Sequence, residues 1–82
     1  MTRITIRLFG PQAQLAATHE LALELPSAPT CGDLRRRLAE AVPALAPSLA
    51  SSRLAVNHAF ADDDTPVAAS DEVALIGMVS GG

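Results

Sequence analysis

Only one stretch of this chain repeats its apolar residues at helical spacing over several turns, and it lies between runs that alternate. Leu34, Leu38, Ala41 and Val42 form one stripe, while Arg35, Arg36, Arg37 and Glu40 lie mostly off it. Thr30 is placed to act as N-cap. Asp33, three residues on, supplies part of a capping box, standing where Glu or Gln is usual. Pro43 stops the helix at about Val42. A helix of this kind can cover one face of a sheet, so the rest of the chain must supply that sheet.

The flanking runs do so. From Thr2 to Phe9, Ile4, Ile6 and Leu8 point one way and Arg3, Thr5, Arg7 and Phe9 the other, the pattern of a half-buried strand. Gly10-Pro11 ends it, and residues 12–18 are expected as a loop or short irregular turn. His19 to Leu25 alternates again, with Leu21, Leu23 and Leu25 on one face, which suggests an antiparallel pair. A second short helix is expected over 44–51, weakened by Pro47. Arg53 to Asn57 is expected as a short strand, with Asn57-His58 as a turn, and Glu72 to Ile76 as the last strand. If the first and last strands are neighbours they are parallel, because the chain between them is long enough for a crossover. The expected fold is α+β: a β-grasp, with a mixed sheet and one main helix across a face.

At 82 residues the chain suits one domain, which buries roughly 60–65% of its unfolded surface. One cysteine, Cys31, excludes an internal disulfide. No apolar run is long enough for a signal peptide or a membrane span, so a cytoplasmic location is expected. Net charge is -3 and the only aromatic residues are Phe9 and Phe60, which argues against nucleic acid as the main ligand. All six basic residues are arginine, so no lysine is available as a Schiff-base nucleophile or a modification site.

Beyond the last strand come Gly77, Met78, Val79, Ser80, Gly81 and Gly82. With glycine near 7% of residues, a Gly-Gly end arises by chance in roughly half a percent of chains. Glycine suits a terminal carboxylate that must enter a narrow catalytic channel, since it has no Cβ to crowd the reacting carbon. The expected division is a domain over 1–76 and a flexible tail over 77–82, which would reach roughly 20 Å when extended. The alternative is an idle terminus.

Several stretches resemble the small subunit of molybdopterin synthase, a family of ubiquitin-like sulfur carriers that also includes the thiamine-pathway carrier. They are Arg7-Leu8-Phe9, Val56-Asn57, the acidic loop with Thr65-Pro66, and Asp71 to Ile76 running on into Val79-Ser80-Gly81-Gly82. The resemblance spans nearly the whole chain. It implies that an activating adenylyltransferase, using ATP in trans, adenylates the carboxylate of Gly82, and that sulfur then replaces an oxygen to give a thiocarboxylate. Ser80 and Val79 continue the tail behind Gly81. The loaded tail would enter the large synthase subunit, in a heterotetramer, and give sulfur to a pterin precursor of the molybdenum cofactor. The chain itself would be a protein co-substrate, with no bound cofactor and no metal. Relatives often carry two prolines where this chain has Gly77-Met78, which leaves the carrier role intact but opens the choice of pathway. Carriers for thiamine or cysteine synthesis are alternatives, as is a β-grasp interaction module that never carries sulfur.

The same resemblance puts a partner-binding surface at positions matching Phe9, Phe60 and Ile76, with Met78 beside them. Alternation points Phe9 and Ile76 away from the core, and large apolar residues on a solvent face call for cover by a partner or by the protein's own loop. Other residues have plainer roles. Cys31 lies near a helix N-terminus, where a thiolate can be favoured, but no local base would activate it. His19 and His58 lack ligand spacing with Cys31. Asp62-Asp63-Asp64 lacks the glycine and distal glutamate of a calcium loop and is expected as a solvated loop. Arg35-Arg36-Arg37 is expected as a solvated helix face.

Overall fold

The computed structural model describes residues 1–77. Its elements in chain order are β1 (Thr2–Arg7), α1 (Gly10–Ala16), β2 (Glu20–Leu25), α2 (Cys31–Ala41), a 3-10 turn (Pro43–Leu45), α3 (Ala46–Leu49), β3 (Ser52–Val56), β4 (Ala59–Ala61) and β5 (Val73–Gly77). Among the described residues the strands form one mixed sheet in the order β2-β1-β5-β3-β4. The last strand enters its middle. β5 runs parallel to β1, with Ile6 opposite Val73, and antiparallel to β3, with Leu54 opposite Leu75. β1 and β2 pair antiparallel, as expected, with Ile4 against Leu23 and Ile6 against Leu21. This is the β-grasp layout, and α2 lies across one face of it.

The core sits between α2 and that face. Ile4, Ile6 and Leu8 of the first alternating run are buried, as are Leu34 and Leu38 of the helix and Leu54, Val73 and Leu75 of the last strands. Leu45 and Leu49, from the 3-10 turn and α3, close one end. The partial capping box is complete in geometry. Thr30 Oγ1 accepts from the Asp33 amide at 3.3 Å, and Asp33 Oδ2 accepts from the Thr30 amide at 3.0 Å. Asp is thus long enough here to do what Glu usually does. The acidic loop is exposed as expected, but its backbone has a structural role. Asp63 and Thr65 carbonyls accept the Gly32 and Cys31 amides, two of the donors that a helix start leaves unpaired. Arg35 is not free on a solvated face: Nη1 donates to the carbonyls of Leu49 and Ser52, and Nε lies 3.3 Å from the Asp63 carboxylate.

The expected loop after β1 is also corrected. Residues 12–18, expected as loop, lie largely within α1. Gly10 turns the chain at φ +53, a region that favours glycine, and Pro11 then fits the first helical turn, where its missing N–H costs nothing. The helix is short and buries only Gln12 and Ala13, so no apolar stripe announced it. Boundaries elsewhere move by one or two residues: β1 ends at Arg7 and not at Phe9, Glu72 precedes β5, and Gly77, expected to open the tail, is its last residue. Met78 to Gly82, the remainder of the expected tail, lie outside the described residues.

Asn57 and His58 form the expected turn, both at positive φ (52° and 70°), the conformation of a two-residue hairpin loop. Asn57 also fastens this turn to the start of β5. Its Oδ1 accepts from the Glu72 amide at 2.9 Å, and its Nδ2 donates to Asp71 Oδ1 at 3.1 Å. Asp71 Oδ2 accepts from the Ala68 amide at 2.8 Å. That amide, then the Asn57 side chain, holds the Asp71 carboxyl below its ordinary 3.8. Bonds from the Thr30 backbone and side chain, and then the Arg36 charge, do the same for Asp33. A carboxyl depressed in the folded state contributes stability above its unfolded pKa, and that contribution is lost as pH falls through the folded pKa. Thermal midpoints are therefore expected to fall as pH drops below about 4, and Asp71→Asn should flatten part of that slope. An unchanged slope in Asp71→Asn would mean that this carboxylate carries none of it.

Candidate functional site

The face of the sheet opposite α2 carries the outward residues of every strand. Ala55, Ala74 and Ile76 form its floor, because their neighbours Leu54, Val73 and Leu75 turn inward. Phe60 stands across from Ala55 on β4, and Phe9 leaves the end of β1 in extended conformation at φ -136, ψ 156. Both phenylalanines are 51% exposed. Together these residues line a shallow apolar hollow of about 610 Å³, rimmed by Arg7, His58 and Glu72. No loop of the described residues covers it. Three of the four candidate partner-binding residues, Phe9, Phe60 and Ile76, thus share one surface. Met78 is outside the described residues.

The rim was not legible in the sequence. His58 Nε2 lies 2.8 Å from Glu72 Oε2, an ion pair when the imidazole is protonated. Arg53, in register with Ile76, places its guanidinium 4.6 Å from the centre of the Phe60 ring. Such a cation–π contact is worth about 0.5–1 kcal/mol at an exposed site. It links the ring to the neighbouring strand β3. Strand alternation puts Arg53 and Ala55 together on the outer face, but nothing local paired Arg53 with a residue seven positions on.

A second groove, about 420 Å³, adjoins the first at the C-terminal end of β5. Phe9, Pro11, Leu75, Ile76 and Gly77 line it, with Gln12, Ser48 and Ser52 beneath. Phe9 and Ile76 border both hollows, so the apolar surface runs without a break to the residue that precedes Met78. The reactive end proposed from the sequence, Gly82 with Gly81, Ser80 and Val79 behind it, follows from that point and is outside the described residues.

The remaining candidates separate from this face. Cys31 is fully buried in the core under α2. Burial, then the Asp63 carboxylate, pushes its thiol up, with Arg35 opposing, so the helix start does not yield a thiolate here. Among the described residues no three His, Cys, Asp or Glu side chains gather as metal ligands. No helix among them is long and apolar enough to cross a membrane.

Residues 6–82 match the model of the ThiS family. Among solved structures, small archaeal modifier protein 1 from Haloferax volcanii is similar at 27% identity and a TM-score of 0.84, over 98% of this chain and 99% of that one. A putative molybdopterin converting factor subunit 1 from Pyrococcus furiosus aligns with a TM-score of 0.85 at 21% identity, over 96% and 100%. A chain of the complex of subunits 1 and 2 of molybdopterin-converting factor from Helicobacter pylori aligns with a TM-score of 0.68 at 23% identity, over 98% and 99%. The last two likenesses concern the fold. A single domain of this topology, matched from its first strand to Gly82, makes the chain a member of the ThiS family.

Proposed function

We propose that this chain is a sulfur carrier whose reactive group is the carboxylate of Gly82, and that it serves the synthesis of the molybdenum cofactor. The observation that carries this reading is the family match running through Gly82, on a fold whose open apolar face leads to the base of that end. In the reaction, a carboxylate oxygen attacks the α-phosphorus of ATP held by an activating adenylyltransferase. Pyrophosphate leaves and an acyl adenylate forms. A donor of sulfide-level sulfur then expels AMP and leaves a thiocarboxylate. The chain contributes the group that reacts, and its partners contribute the catalysis. The five residues from Met78 to Gly82 would span about 17 Å when extended, enough to enter a partner's pocket while the domain stays outside. Incubation with the cognate activating enzyme, ATP and a sulfur donor should give the mass change of one oxygen replaced by sulfur, localised to the C-terminal peptide.

The likeness to small archaeal modifier protein 1 favours a second reading, in which the activated Gly82 is joined to an amine of another protein. Both readings share the adenylate and differ in what attacks it. With no lysine in its sequence, this chain would not build polymers of itself through lysine side chains. Covalent adducts on other proteins, in place of a thiocarboxylate, would select the modifier reading.

The apolar face is assigned to partner docking, on the large subunit of molybdopterin synthase and on the activating enzyme. Phe9→Ala and Phe60→Ala should each weaken binding to the large subunit by about 1–3 kcal/mol, a factor of roughly 5 to 150 in Kd. Their effect on the free domain's melting should be small, since half of each ring is already in water. Ile76→Ala should weaken binding too, with a larger stability cost because it is partly buried. Calorimetric titration reads the affinities, and normal affinity in all three variants would remove this face from the interface.

A further inference from the structure

Gln12 is one of two buried polar side chains among the described residues, at 5% exposure; Ser52 is the other. Burying an amide is unfavourable unless its groups are paired. The Nε2 side is paired: it donates to Ser52 Oγ and, at 3.4 Å, to Ser48 Oγ. The two hydroxyls fix which way the amide faces. Ser48 Oγ donates to the Leu45 carbonyl at 2.8 Å, and Ser52 Oγ to the Ser48 carbonyl at 2.7 Å. A hydroxyl has one hydrogen, so each serine has only acceptor capacity left for Gln12. The nitrogen must face the serines, and the oxygen must face away from them.

What the oxygen faces is Gly77. A Cβ built on Gly77 would lie 3.3 Å from Gln12 Oε1, tighter than most side-chain contacts, and at an ordinary 3.5 Å from its Cδ. The amide therefore packs against the last residue of β5, where an added side chain would press on its oxygen. Gln12 cannot easily withdraw, being held at its far end by α3 and the start of β3. Gly77 follows Ile76 of the docking face and is five residues from Gly82.

We propose that Gln12 is a positioning residue for the reactive end: its amide, fixed by Ser48 and Ser52, sets the direction in which the chain leaves the sheet at Gly77. The absence of a side chain at 77 then serves this close approach, because the held amide has little room to give. The inference rests on the carrier reading for its purpose, but its geometry can be tested without it.

The test is a cycle of Gly77→Ala, Gln12→Ala and the double variant in the full chain. Gln12→Ala should fold, because both serine hydroxyls keep their carbonyl acceptors. Gly77→Ala should lower kcat/KM for thiocarboxylation by roughly tenfold, mostly in kcat, because a small displacement at the base of the tail misplaces the reacting carbon. Gln12→Ala in the same chain should restore most of that loss, since the colliding amide is gone. A purely structural role for Gln12 would add a second loss instead of relieving the first, and that result would overturn the proposal. Amide NMR of the free protein decides the geometry independently. Gln12→Ala should shift the resonances of Gly77 and Met78 in the wild-type background, and unchanged resonances there would also overturn it. Failure of the wild-type chain to load sulfur would refute the carrier reading while the NMR arm still decides this one.

Discussion

Deleting Gly82 is expected to abolish sulfur loading while leaving the melting of the domain unchanged. A carboxylate resists attack because its negative charge repels nucleophiles and oxide is a poor leaving group. Joining it to AMP removes both obstacles, provided the acyl carbon sits where the activating enzyme's groups surround it. The deletion still leaves a glycine at the end, so the chemistry of the terminal residue is the same. Only its reach changes, by about 3.3–3.6 Å for one residue of extended chain. Misplacement by about 1 Å already costs on the order of a hundredfold in rate, so the loss should be at least that large. Adding one residue after Gly82 should do the same. The fold is insulated, since β5 ends at Gly77 and the buried residues of that strand are Val73 and Leu75. Intact-protein mass spectrometry after incubation with the activating enzyme, ATP and sulfur donor reads the result. A deletion variant that still carries sulfur would sink the assignment of Gly82.

The second large effect belongs to the core. Leu38→Ala should destabilise the domain by about 2–5 kcal/mol. Leu38 is fully buried on the face of α2 that meets β2, the 3-10 turn and α3, so its removal leaves a cavity bounded by several elements that cannot all close on it. For a domain of this size each kcal/mol moves the thermal midpoint by about 4–8 °C, so the drop should exceed about 8 °C. Glu40→Ala, on the exposed side of the same helix, should change little. Equal midpoints for the two variants would show that the helix packs by a different face.

Why these two residues could be chosen differs. Leu38 was legible because a helix stripe and a strand alternation are periodic, and period decides which side chains turn inward. The same rule sets Phe9 and Ile76 on the outer face. α1 escaped because its buried face carries Gln12 and Ala13 while Leu15 is 50% exposed, which inverts the pattern that marks a helix. The Gln12–Ser48–Ser52 contacts escaped for a related reason. They join residues 36 and 40 positions apart, and polar side chains carry no periodic signal of which distant partner will satisfy them. Arg53 over Phe60 and the Asn57–Asp71 tie are of the same kind, set by strand pairing and not by local sequence.

The central place of β5 has a consequence for how the protein is made. β1 with β2, and β3 with β4, are hairpins that can form while the ribosome is still adding residues. Neither can join the other until Val73 to Gly77 has been synthesised and inserted between them. The hydrophobic layer under α2 stays open until then, because Val73 and Leu75 are part of it. Pairings between distant segments are the slow ones in folding, and this one spans nearly the whole domain. A message truncated before codon 73 therefore yields a chain that cannot close its sheet and is exposed to proteolysis. The strand that closes the sheet is also the one that runs on toward Gly82, so a chain stopped short of it has neither a complete sheet nor that end.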